Sequence, residues 1–162
     1  MGNSFKALNI VIAFVSFALK ALRTDIGSKA PNNRILLVDD DHDILQFLKQ
    51  GLELKGLQVN AYSSAQEALQ SFKPDVYDLA ILDIRMPDMN GFQLYREIKK
   101  LDHAITAYFL SAFEIHPSEF KKVFPSMGEI KAIIKKPVSI HQLLNQIAPS
   151  LKISAAAKAT LD

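Results

Sequence analysis

The sequence predicts a single α/β domain built on a doubly wound parallel β-sheet. Five short apolar runs lie between residues 34 and 135, and helical spacing of apolar side chains follows the runs. The runs are continuously apolar rather than alternating, which indicates strands covered on both faces of the sheet. The chain is 49% hydrophobic and 22% charged over 162 residues, which suits one globular domain with a sizeable core.

The predicted elements follow one another in five β-α units. Gly56 ends the first helix, the capping box Ser64-x-x-Glu67 begins the second, and Ser139 caps the last. A short helix is expected at 118–124, where Pro125 ends it. The predicted strands cover residues 35–38, 59–62, 79–82, 104–110 and 132–134.

Residues 1–33 differ from the rest of the chain. The stretch 7–19 is apolar except at Asn9 and Ser16, yet it is shorter than the roughly 20 apolar residues of a spanning helix. Its polar positions share one helical stripe, so we expect residues 5–22 to form a helix that packs on a membrane surface, a partner or a second copy. A plain additional helix and a misassigned start codon are the alternatives. Residues 28–33 are linker-like, 34–149 form the predicted domain, and 150–162 are a tail too short for an output domain.

Composition excludes several kinds of site. The chain has no cysteine, so disulfides, thiolate metal sites and cysteine nucleophiles are ruled out. The net charge is +2, and residues 1–30 alone contribute more than that, which leaves the predicted domain slightly acidic. It has no basic stripe, and we therefore expect no nucleic-acid binding.

Polar side chains stand just after four of the predicted strands. Asp39 and Asp40 follow the first strand, Asp83 the third, Ser111 the fourth and Lys136 the fifth. Right-handed crossovers place the carboxyl ends of parallel strands along one edge of the sheet. Ligands of open α/β sheets bind at that edge, where the strand order reverses. The pattern therefore gathers three carboxylates, a hydroxyl and an ammonium group at one crevice.

The acidic residues also have a simpler interpretation, because carboxylates favour helix N-termini. Asp41 or Asp43 would suffice as a cap, however. Two adjacent carboxylates near a third at Asp83 repel one another unless a cation or protons neutralise them. A hard divalent ion such as Mg²⁺, which prefers oxygen ligands, fits this arrangement.

Taken together, these residues resemble the receiver domain of two-component response regulators. The resemblance runs from about Arg34 to Pro149, and each element follows the matching strand in the matching order. It implies a flavodoxin-like (βα)5 fold with strand order 2-1-3-4-5, in a stand-alone, single-domain protein. The residues that carry it are Val38-Asp39-Asp40, Asp83-x-x-Met86-Pro87-x-Met89-x-Gly91, Ser111-Ala112 and Lys136-Pro137.

The resemblance implies a metal site and a phosphorylation site. Asp83 is the expected phosphoacceptor. Asp40, Asp83 and the backbone carbonyl of Arg85 are expected to bind Mg²⁺ directly, and Asp39 partly through water, with Mn²⁺ able to substitute. Lys136 is expected to pair with the phosphoryl oxygens through its side chain.

The resemblance also implies a conformational switch. Ser111 takes the place of the family's switch residue, and the Lys136-Pro137 bond is expected to be cis. Ile133 stands where the family usually has Tyr or Phe, which puts the usual movement of an aromatic ring in doubt. Phe113 and Arg85 stand where the family tunes the lifetime of the phosphoryl group, although core packing is an equal alternative for Phe113.

The expected function is phosphorelay signalling in the cytoplasm. A histidine kinase or phosphotransfer protein would donate the phosphoryl group, and a downstream protein that the sequence does not identify would read the change. The domain would catalyse only its own phosphorylation and dephosphorylation. Two alternatives remain: a docking module without phosphorylation, and a metal-dependent phosphatase, whose second Asp would stand where this chain has Arg85.

Overall fold

A computed structural model describes residues 33–113 and 130–151 of the chain. Five parallel strands form one sheet in the order β2-β1-β3-β4-β5, which confirms the predicted fold class and strand order. The strands are Arg34–Val38 (β1), Gln58–Tyr62 (β2), Leu79–Asp83 (β3), Thr106–Ser111 (β4) and Ile130–Lys135 (β5). The order reverses between β1 and β3, so the crevice expected from the topology lies there.

Helices cover both faces of the sheet. The described helices are His42–Leu54 (α1), Ala65–Ser71 (α2), Gly91–Leu101 (α3) and Ile140–Ile147 (α4), and a 3₁₀ turn at Ala148–Ser150 follows α4. Leu48 of α1 and Leu144 of α4 pack on one face, and Ala68 of α2 and Leu94 of α3 pack on the other. Both faces of the sheet are therefore apolar, which is why the strands are continuously hydrophobic.

Successive strand residues divide between the two faces. In β1, Ile35 and Leu37 join the core under α1 and α4, whereas Leu36 and Val38 join the core under α2 and α3. All four side chains are fully buried. Burial of such a side chain contributes about 1.5–3 kcal/mol to the stability of the fold. Strand β1 therefore gives a firm base to the residues that follow it at the carboxyl edge of the sheet.

Side-chain caps begin each of the four described helices just after a strand. Asp41 accepts the N–H groups of residues 43 and 44 and is therefore the N-cap of α1. The sequence had left Asp41 and Asp43 as two candidates for this cap. Ser64 accepts the N–H group of Glu67, which is one of the two hydrogen bonds of the predicted capping box. Asn90 and Ser139 form full capping boxes with the glutamines three residues later. These caps direct four helix N-termini towards the carboxyl edge of the sheet.

Two strands differ from the sequence prediction at their starts, and one of them, β5, begins at Ile130 rather than at residue 132. The prediction started the fourth strand at residue 104, but β4 begins at Thr106. The buried side chain of Asp102 accepts the N–H groups of Ala104 and Ile105, which holds them in a turn rather than in the ladder. The predicted helix at 118–124, the segment 5–22 and the tail beyond residue 151 lie outside the described residues.

Candidate functional site

Three carboxylates meet at the carboxyl edge where the strand order reverses. Asp83 ends β3 and Asp39 follows β1, and the pairing of Val38 with Leu82 places these strand ends side by side. One oxygen from each of Asp39, Asp40 and Asp83 lies within 4.8 Å of the others. Asp39 and Asp83 are buried, and Asp40 is exposed. The cluster is therefore closed on the protein side and open to solvent at Asp40.

Lys136 reaches the cluster from the edge strand β5, two strands away from β3. It follows β5, and its Nζ lies 2.7 Å from Asp39 Oδ2 and 3.0 Å from Asp83 Oδ1. Its backbone N–H donates to the carbonyl of Ser111 at 2.7 Å, which holds the start of this loop against β4. The Lys136-Pro137 peptide bond is cis. A single ammonium group thus bridges two buried carboxylates that come from different strands.

The cluster carries more negative than positive charge. Burial raises the pKa of Asp39 and of Asp83, although the hydrogen bonds and charge of Lys136 act to lower both. Burial alone would lower the pKa of Lys136, but its bonds to these two carboxylates outweigh that effect and raise it. Lys136 therefore holds its proton firmly, while each buried carboxylate favours a partner that removes negative charge.

Ser111 stands at the same edge of the sheet, and its hydroxyl is bonded within the turn that follows β4. It is buried at the end of β4, and its Oγ donates to the carbonyl of Phe113 at 2.8 Å. The same Oγ accepts the Phe113 backbone N–H at 3.1 Å. The structure therefore brings Ser111 to the expected edge, with its hydroxyl engaged by the chain two residues ahead.

The loop between β3 and α3 carries two features that the sequence did not reveal. The guanidinium of Arg85 lies 4.3 Å from the centre of the Phe113 ring, so the loops after β3 and β4 touch. Gly91, the first residue of α3, lies so near the main chain of Asp83 that a Cβ there would overlap the Asp83 carbonyl. The missing side chain at Gly91 is thus what allows α3 to begin beside the acidic cluster.

The donor set fits a hard divalent cation. Three carboxylates against one ammonium leave a formal charge of −2, which one Mg²⁺ ion balances. The donors are all oxygens, and exposed Asp40 leaves a path for the waters that Mg²⁺ retains. Both oxygens of Asp39 already have contacts, one with Lys136 and one with the Asp41 N–H.

The parallel sheet, the acidic cluster and the bridging lysine define an α/β domain with a charged site at the carboxyl edge of its sheet. The family model for the response regulator receiver domain matches residues 35–148. The chain belongs to this family, which is the receiver part of two-component response regulators. Receiver domains interact with histidine kinases or phosphotransfer proteins, and they bind Mg²⁺ at an acidic cluster.

Individual relatives agree with this assignment. The chain is 44% identical over 75 residues to the C4-dicarboxylate transport transcriptional regulatory protein DctD of Rhizobium meliloti, covering 46% of this chain but only 16% of that protein. It is 28% identical to the response regulator receiver protein CpdR of Brucella abortus, covering 73% of this chain and 96% of CpdR.

A solved structure has the same fold. The CheY-like receiver domain protein of Methanospirillum hungatei superposes with a TM-score of 0.63 at 34% identity, covering 72% of this chain and 90% of that one. In the described parts of the chain, no helix is both long and apolar enough to cross a membrane.

Proposed function

We propose that Asp83 is the residue that accepts the phosphoryl group. The observation that carries the proposal is the position of the Lys136 ammonium, 3.0 Å from Asp83 and 2.7 Å from Asp39. Phosphoryl transfer depends on positioning and charge neutralisation rather than on covalent assistance. Asp83 offers a carboxylate with a cation beside it, and the neighbouring Asp40 is open to solvent.

The reaction is a transfer between two protein side chains. An oxygen of Asp83 attacks the phosphorus of a phosphohistidine, the P–N bond breaks, and the imidazole nitrogen keeps the electron pair and takes a proton. The product acyl phosphate carries about −2 where one carboxylate stood before. Lys136 would remain beside the new oxygens, and Ser111, which ends β4 at the same edge of the sheet, is proposed to donate to one of them after its side chain rotates.

The proposed metal ligands are Asp40, Asp83 and the backbone carbonyl of Arg85, with Asp39 acting partly through water. A bound Mg²⁺ or Mn²⁺ would neutralise charge that develops on the transferred group. The prior engagement of both Asp39 oxygens supports its indirect role. Calorimetric titration should show that Asp40→Ala abolishes Mg²⁺ binding and that Asp39→Ala weakens it less. Unchanged affinity in Asp40→Ala would contradict this ligand set.

The donor is inferred to be a histidine kinase or phosphotransfer protein acting in the cytoplasm, and the output a protein contact rather than nucleic-acid binding. The functional unit is proposed to be 34–149, with residues 5–22 available for a membrane contact or self-association. Catalysis would be limited to the domain's own phosphorylation and dephosphorylation. The acidic cluster around Asp39 and Asp83 supports this limit on catalysis, because it offers a site for one covalent group and for one ion.

Phosphorylation at a single residue is the direct test. The protein should be modified by acetyl phosphate with Mg²⁺ and should bind beryllofluoride, and Asp83→Asn should lose both properties. Asp88→Asn is the matched control, because Asp88 is exposed and lies in the loop that follows β3. Peptide mapping identifies the modified residue. Undiminished labelling of Asp83→Asn at another position would reject the assignment.

A further inference from the structure

The hydroxyl of Ser111 has a single proton, and the structure shows where it is used. Ser111 Oγ donates that proton to the Phe113 carbonyl and accepts the Phe113 backbone N–H. Ser111 is 3% exposed, so water does not offer an easy replacement for these bonds. The hydroxyl cannot donate to Phe113 and to a phosphoryl oxygen at the same time.

Phe113 also makes a side-chain contact, with Arg85. Phe113 is 54% exposed, yet the Arg85 guanidinium lies over its ring, 4.3 Å from the ring centre. Arg85 lies two residues after Asp83, in the loop that begins at the acidic cluster. The stack therefore joins the loop after the acceptor to the segment that binds the Ser111 hydroxyl.

We propose that Ser111, Phe113 and Arg85 form a latch that opposes engagement of the phosphoryl group. The cation–π stack favours the Phe113 conformation whose peptide groups hold the Ser111 hydroxyl. Release of the stack lowers the free energy needed to rotate the hydroxyl towards Asp83. Arg85 and Phe113 are positioning residues, because they act through Ser111. The proposal rests on the proposed function of Asp83.

The expected size follows from the exposure of the stack. Cation–π pairs at exposed sites stabilise by about 0.5–1 kcal/mol, which corresponds to a factor of about two to five. Loss of the stack should therefore tighten beryllofluoride binding about two- to fivefold. A direct electrostatic role of Arg85 predicts the opposite sign, since removal of a positive charge weakens binding of an anion.

Two variants break the stack in different ways, and one preserves it. Arg85→Gln removes the cation, Phe113→Leu removes the aromatic ring without changing charge, and Phe113→Tyr keeps the ring as the control. Hydrogen exchange of the Phe113 amide, measured by NMR without Mg²⁺ or beryllofluoride, reports the latch itself. Calorimetry with Mg²⁺ and beryllofluoride reports its effect on the acceptor. Both measurements use the full chain.

The latch predicts faster Phe113 exchange and tighter beryllofluoride binding in Arg85→Gln and Phe113→Leu, and wild-type values in Phe113→Tyr. Both effects should vanish in a Ser111→Ala background. Persistence of the affinity change without the Ser111 hydroxyl, or no change in either stack variant, overturns the latch alone. Absence of Asp83-dependent beryllofluoride binding in the wild type overturns the proposed function, and the latch with it.

Discussion

Gly91→Ala should damage the site more than the stability of the fold. A Cβ at Gly91 would lie nearer to the Asp83 carbonyl oxygen than real Cβ atoms approach any heavy atom, and the obstacle is main chain rather than a flexible side chain. Alanine favours a helix by up to about 1 kcal/mol over glycine, whereas overpacking costs about 1–3 kcal/mol. We expect a net loss of about 1–2 kcal/mol in the free energy of unfolding.

The larger effect of Gly91→Ala should be on chemistry. Either α3 or the acceptor must shift, and a displacement of about 1 Å can reduce a rate by roughly 100-fold. Urea unfolding measures stability, and acetyl phosphate labelling measures the rate. Gly56→Ala is the matched control, because Gly56 has a φ of +79° in open space and lies on the loop before β2. It should cost about 1–2 kcal/mol and leave labelling unchanged. Wild-type labelling by Gly91→Ala would refute the reasoning.

Three further predictions concern stability and the N-terminal segment. Asp102→Ala should lower the free energy of unfolding by about 2–4 kcal/mol, since its buried carboxylate accepts three backbone N–H groups; a change below about 0.5 kcal/mol in urea unfolding would contradict this. The raised pKa of Asp83 means that the metal-free fold loses stability as pH rises from the ordinary value of 3.8 through the raised pKa. Asp83→Asn should therefore melt above the wild type at pH 7 without divalent metal, and this difference should shrink in acid. A chain starting at Pro31 should remain a Mg²⁺-dependent phosphoacceptor, whereas the full chain should sediment with liposomes or elute as an oligomer. A full chain that is monomeric and does not bind liposomes would disprove the contact expected of residues 5–22.

The strands were predictable because both faces of the sheet are covered. Continuous apolar runs located β1, β2 and β3 to within one residue, since no competing pattern interrupts them. The predicted start of β4 was less accurate, because the Asp102 side chain accepts two backbone N–H groups just before the strand, and hydrophobic spacing does not reveal such a bond. The spacing of apolar residues predicts which positions are buried, but it does not predict which acceptor each backbone N–H group will bond to.

The gathering of Asp39, Asp83 and Lys136 was predictable for a topological reason. Parallel strands with crossover helices deliver the residue after each strand to one edge, whatever the distance in sequence. The direction of the Ser111 hydroxyl was not predictable, because it depends on the turn that follows β4. Nor was the Arg85 stack, since two exposed side chains on separate loops carry no shared pattern.

The position of Lys136 suggests a route by which charge at Asp83, the proposed acceptor, can affect the fourth strand. Lys136 contacts Asp83 through its ammonium group and Ser111 through its backbone N–H, so one residue joins Asp83 to the end of β4. Ile133 is half-buried and packs against the core under α2 and α3. Phe113 is exposed, but its peptide groups bond to Ser111 and its ring contacts Arg85. A change of charge at Asp83 would therefore reach the turn after β4 by two routes, through Lys136 to Ser111 and through the loop of Arg85 to Phe113.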